Sequence, residues 1–164
     1  MYKQIVLAYD GTLEGRRALR EGVLLALRNR SKIHLLAVVA ENPSVKVAEG
    51  IQPGAADRHQ TNYGSILQEA VNGLASHGVP VTAKLAQGDP PQVIAGYAAK
   101  VRADLVVVGH RKLNLLQRWW SGSSGAYLSD HLKCSLLIAR NVIDQEEFLR
   151  EIDAWRVSEA AHQP

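Results

Sequence analysis

Short, uninterrupted apolar runs alternate along this chain with longer stretches whose apolar residues recur at helical spacing. The first run, residues 5–9, is closed by Asp10-Gly11 and predicts a buried strand followed by a turn. From Thr12 onward, Ala18, Leu19, Val23, Ala26 and Leu27 mark one face of a helix. Thr12 is its candidate N-cap, and Glu14 falls in the first turn, where the helix dipole favours an acid. Residues 33–39 predict a second buried strand. The pattern then weakens over 40–59, which holds Pro43, Gly50, Pro53 and Gly54 and reads as a long loop. A helix over 60–76 stops at His77-Gly78, with Pro80 beyond. Residues 79–85 alternate in the strand manner. Gly88-Asp89-Pro90-Pro91 then turns the chain into a helix over 92–101, with Asp89 as candidate cap. Residues 105–108 form a wholly apolar strand. A polar and aromatic loop over 109–122 leads to a short helix at 124–131, and Ser135–Ala139 is the last strand.

This βαβαβαβαβ order predicts an α/β fold, a doubly wound parallel sheet of five strands with helices on both faces. In such sheets, ligands bind beyond the carboxyl ends of the strands, where the strand order reverses. Two loops are expected at that edge: Asp10-Gly11-Thr12 and the segment from Gly109 onward. Residues 1–140 make one domain and 141–164 a C-terminal helical extension. Within the extension, 144–159 reads as an amphipathic helix with Phe148, Leu149, Ile152 and Trp155 near one side. That stripe either packs on its own domain or contacts a partner.

Composition narrows the function classes. The 164 residues are 46% hydrophobic and 21% charged, enough apolar material for a packed core and too little charge for a disordered chain. The net charge of +3 is scattered. Its densest cluster, Arg16, Arg17, Arg20, Arg28 and Arg30, is interrupted by apolar residues and reads as a solvated helix face. No basic stripe with stacking aromatics argues for a nucleic-acid partner. Cys134 is the one cysteine, so no internal disulfide and no Cys/His metal cluster is expected. The opening apolar run is too short to span a bilayer, and the expected location is cytoplasmic.

The informative chemistry lies at Gly109-His110-Arg111-Lys112 and Gly122-Ser123-Ser124-Gly125, between a buried strand and a helix start. Helix N-termini present N–H groups to anions, and glycine lets main chain approach a phosphate. Serine hydroxyls and the Arg111 and Lys112 charges add donors. The same residues also read as a glycine-rich linker with serine caps. Asp10 reads either as a turn residue or as an acceptor for a ligand.

The strand ending in Tyr9-Asp10-Gly11-Thr12, the strand LVVVGHR and the later Gly-Ser-Ser resemble the universal stress protein family over residues 1–140. Nucleotide-binding members carry Gly-x2-Gly-x9-Gly-Ser/Thr here. Gly109 matches the first glycine and Gly122-Ser123 the last pair, whereas Lys112 replaces the second glycine. At positive φ that lysine costs about 1 kcal/mol. It either blocks the phosphate space or supplies an ammonium to it. The resemblance implies a Rossmann-like strand order 3-2-1-4-5 and an ATP or related adenine nucleotide site. In that site Asp10 would meet the ribose hydroxyls or a nucleotide-bound Mg, and Ala8 and Val38 would line the adenine. Val108 and Gly109 would offer main chain, and Gly122, Ser123 and Ser124 would hold phosphates. It also implies a homodimer through the last strand, while residues 141–164 are a candidate surface for a protein partner.

Three functions follow: a nucleotide-binding regulatory protein of the stress response, a nucleotide-free dimeric interaction protein in which Lys112 blocks the site, and slow ATP hydrolysis. No adjacent base activates the serines, so no catalytic residue is assigned.

Overall fold

The computed structural model describes residues 1–39, 55–109, 123–140 and 142–161. In chain order the elements are β1 (Gln4–Tyr9), α1 (Leu13–Ala18), α2 (Arg20–Asn29), β2 (Lys32–Val39), α3 (Ala55–Ser76) and β3 (Val81–Gln87). They continue with α4 (Pro90–Val101), β4 (Leu105–Gly109), α5 (Ser123–His131), β5 (Ser135–Ala139) and α6 (Gln145–Ala161). All five strands are parallel, in the order β3-β2-β1-β4-β5. The chain winds outward from β1 through β2 to β3, then returns to β4 and β5. The order therefore reverses between β1 and β4.

The central strands are apolar throughout because both of their faces are covered. Alternation of side chains sends Ile5, Leu7 and Tyr9 to one face and Val6 and Ala8 to the other. β4 divides likewise, Leu105 and Val107 against Val106 and Val108. The first face packs on α2, α3 and α6 through Leu24, Leu27, Leu67, Ala70 and Ile152. The second packs on α4 and α5 through Ile94, Ala98 and Leu128.

Several boundaries differ from the periodicity. The first predicted helix is two, divided at Leu19, whose N–H bonds back to Arg16. The break lets two close approaches differ in direction: Gly15 and Ala18 of α1 lie against Gly109, and Gly22 of α2 against Leu7 and Val107. α3 starts at Ala55 rather than 60, directly after Pro53-Gly54, because residues 55–59 are helical without an apolar stripe. β3 begins at Val81, since Val79 closes α3 by donating its N–H to Leu74 O. Asp89 takes the N-cap position of α4 but its side chain makes no cap bond there. Thr12 does cap α1, accepting from Gly15 N–H at 3.1 Å.

The C-terminal stripe packs on its own domain. Ile152 is wholly buried, with Phe148 and Trp155 half-buried beside it against α2. Of the arginine cluster, Arg17, Arg28 and Arg30 are exposed, as a solvated face requires, and Arg16 and Arg20 are half-buried. Arg16 donates to Ile66 O and Glu69 of α3, while Arg20, Arg28 and Arg30 reach α6 or the turn before it.

Candidate functional site at the carboxyl edge

β1 and β4 end side by side where the strand order reverses, with Ala8 in register with Val108. Beyond Tyr9 the chain turns at Asp10-Gly11-Thr12. Gly11 has φ +77°, a left-handed conformation, and a Cβ on it would stand 2.6 Å from the Tyr63 ring of α3. Asp10 Oδ1 accepts from the Thr12 N–H at 3.1 Å and from its hydroxyl at 2.6 Å. Thr12 Oγ1 in turn accepts from Gly15 N–H. This relay from carboxylate to hydroxyl to amide sets the start of α1.

Two further glycines complete the edge. A Cβ on Gly15 would stand 2.3 Å from Asp10 Oδ1. A Cβ on Gly109 would stand 2.9 Å from both Gly15 O and Ala18 Cβ. The end of β4 is thus seated on α1, and α1 on Asp10. Sequence reading assigned Gly109 to a ligand. The structure gives its missing side chain a packing cause, close helix–strand approach. Gly15 was missed. Its signal was a glycine early in a helical pattern, which marks close approach. Tyr63 carried no signal.

Ala8, Val38 and Val108 are brought together on the α4–α5 face and are 0%, 0% and 1% exposed. Their side chains are core, packed with Ile94 and Leu128. Ser123 opens α5, and Ser124 follows it. Lys112 and Gly122 lie outside the described residues, as do His110, Arg111 and Trp119-Trp120. Among the described residues no three His, Cys, Asp or Glu side chains could hold a metal.

Electrostatics at this edge centre on Tyr9. Its hydroxyl is buried without a hydrogen-bond partner, and burial pushes its pKa up to about 12, with Arg16 opposing and Asp10 reinforcing. On β2, His34 Nε2 meets Gln4 Oε1 at 2.8 Å while Nδ1 is buried unpaired. Burial and then Lys32 lower its pKa. Cys134 is half-buried on the α4–α5 face, its thiol pKa raised by burial and by Asp104.

The model of the universal stress protein family matches residues 1–140. A putative universal stress protein of Staphylococcus saprophyticus is 26% identical over 98% of each chain. Among solved structures, a universal stress protein in complex with cAMP is 22% identical at a TM-score of 0.57, covering 85% of this chain and 98% of that one. The universal stress protein of Archaeoglobus fulgidus in complex with dAMP is 19% identical at a TM-score of 0.59, with the same coverage. These structural likenesses establish the shared fold.

Proposed function

The chain belongs to the universal stress protein family, and from that premise we propose that it is a regulatory protein of the stress response that binds ATP or a related adenine nucleotide. The observation that carries this reading is the carboxyl edge itself. Asp10 and Gly109 meet across α1 at the point of strand reversal, where doubly wound sheets take their ligands. The cAMP and dAMP complexes of structural relatives support an adenine nucleotide as the ligand class. In this reading Asp10 accepts from the ribose, Val108 and Gly109 offer main chain, and Gly122, Ser123 and Ser124 at the start of α5 take the phosphates. Any Mg would travel with the nucleotide, with Asp10 as its candidate protein contact. The protein acts in the cytoplasm as a homodimer paired through β5, which stands at the sheet edge and is an open template for a second strand.

Calorimetric titration with ATP and Mg²⁺ tests the reading, on the wild type and on Lys112→Gly and Asp10→Asn. Asparagine keeps the acceptor for Thr12 but drops the charge. Expected are binding in the micromolar range by wild type and a roughly 10-fold loss for Asp10→Asn with the fold intact. Binding by Lys112→Gly alone would instead identify a nucleotide-free interaction protein with Lys112 as the block. Binding by none of the three would overturn the site.

A further inference from the structure

We propose that the face of α2 beneath α6 is a docking groove for an acidic amphipathic helix of a partner protein, with α6 as its resident and displaceable occupant. The groove is defined by what sits in it. Leu24 and Leu27 of α2 form an apolar floor, and Arg20, Arg28 and Arg30 frame it. α6 answers with Phe148, Ile152 and Trp155, spaced i, i+4, i+7, and with acids on the flank. Glu151 meets Arg28 at 2.7 Å and Glu159 meets Arg30 at 2.9 Å. At the other end Arg20 donates to Ile143 O and Gln145 Oε1 and lies over the Phe148 ring. A helix of this chemistry is what the surface recognises.

Apart from Ile152, which enters the main core, α6 is held by half-buried or exposed side chains. Ile152 is the one wholly buried side chain of the helix. Both interhelical ion pairs are solvent-exposed, 69% and 42% for one and 63% and 33% for the other, and such pairs are weak and salt-screened. A cleft of about 460 Å³ remains between the two helices, and among the described residues the buried Trp155 indole N–H has no acceptor. The family match ends at residue 140, before α6 begins. The inference is independent of nucleotide binding.

Native-state hydrogen exchange on the full chain is the first test. Amides of α6 should exchange at least ~100-fold faster than those of β1 and β4. The gap should widen as salt rises from about 0.05 to 0.5 M. Protection of α6 equal to that of β1 overturns the proposal. The second test uses a fluorescent peptide of residues 144–161 as the probe. It should bind full-length Ile152→Asp at least ~10-fold more tightly than wild type, whose own α6 competes at high effective concentration. Adding Arg28→Glu should abolish that binding, and a peptide carrying Glu151→Arg should restore it. Absence of binding to a folded Ile152→Asp chain sinks the idea. So does loss of the fold in that variant, because α6 would then be core rather than occupant.

Discussion

At the amino edge of the sheet, Asp104 Oδ2 accepts the N–H groups of Lys3 and Gln4 at 2.6 and 2.8 Å; at the carboxyl edge, Asp10 Oδ1 accepts the N–H and hydroxyl of Thr12. One aspartate fastens each end of β1. The surroundings of the two differ. Asp104 is half-buried, and the two backbone bonds hold its carboxyl below the usual range. Around Asp10 the backbone is crowded enough that Gly11, Gly15 and Gly109 each lack room for a Cβ. The helix ends that face the amino edge need positive φ as well, at Arg30 and Arg102, yet there the chain tolerates arginine. Positive φ alone therefore does not require glycine in this molecule, although Gly78 takes it at φ +75° in open space. Among the described residues, the glycines without room for a Cβ cluster at the edge where the candidate ligand site lies, with Gly22 of α2 against Leu7 and Val107 the exception.

The largest expected effect follows from that crowding. Gly15→Ala places a methyl 2.3 Å from Asp10 Oδ1, and Gly109→Ala one 2.9 Å from backbone and from Ala18. Each should lower stability by roughly 2–3 kcal/mol in denaturant unfolding. Gly64→Ala and Gly73→Ala in α3 meet nothing within 4 Å and should instead gain ~0.5–1 kcal/mol from helix propensity. If the four variants behave alike, the contrast between the edges is wrong.

Tyr9 sharpens the same contrast through pH. Its folded-state pKa of about 12 lies above the ordinary 10, so the folded state holds the phenolic proton more tightly than the unfolded chain. The stabilisation is fully present below pH 10 and is lost as pH rises from 10 through 12. The loss is of order 2 kcal/mol. Tyr9→Phe should flatten this alkaline decline. At neutral pH it should be neutral or stabilising, because it removes a buried hydroxyl that has no partner. A decline unchanged in Tyr9→Phe would assign the alkaline loss to other groups.

How much of this was legible beforehand differs by edge and by interaction range. The strands showed because a sheet covered on both faces leaves uninterrupted apolar runs such as IVLAY and LVVV. Thr12 showed as a cap because capping is local chemistry. Asp10 and Gly109 were marked as site residues, but their contact through Gly15 was invisible, since it joins residues some ninety positions apart by the absence of side chains. The start of α3 was missed because AADRH has helix-compatible residues without a stripe. The arginines read as a solvated face, and three of the five are exposed, but their acceptors on α3 and α6 are distant in sequence, so a local pattern does not show those contacts.

The smallest effect tests the amino edge. α2 and α4 end alike, with Arg30 and Arg102 at φ +53° and the next residue's N–H bonded back five positions, to Ala26 and Ala98. Arginine in that conformation is strained by roughly 1 kcal/mol. Arg102→Gly should relieve most of it and, net of the greater freedom glycine has when unfolded, gain about 0.5 kcal/mol. Arg30→Gly relieves the same strain but breaks the 2.9 Å pair with Glu159, an exposed pair worth about as much as the gain, so its net change should be near zero. Thermal unfolding of both variants reads the difference, a rise of about 1–2 °C for Arg102→Gly and none for Arg30→Gly. Equal rises would mean that the pair with Glu159 contributes nothing to the hold on α6, which would then rest on Ile152, its apolar neighbours and the contacts of Arg20 and Arg28.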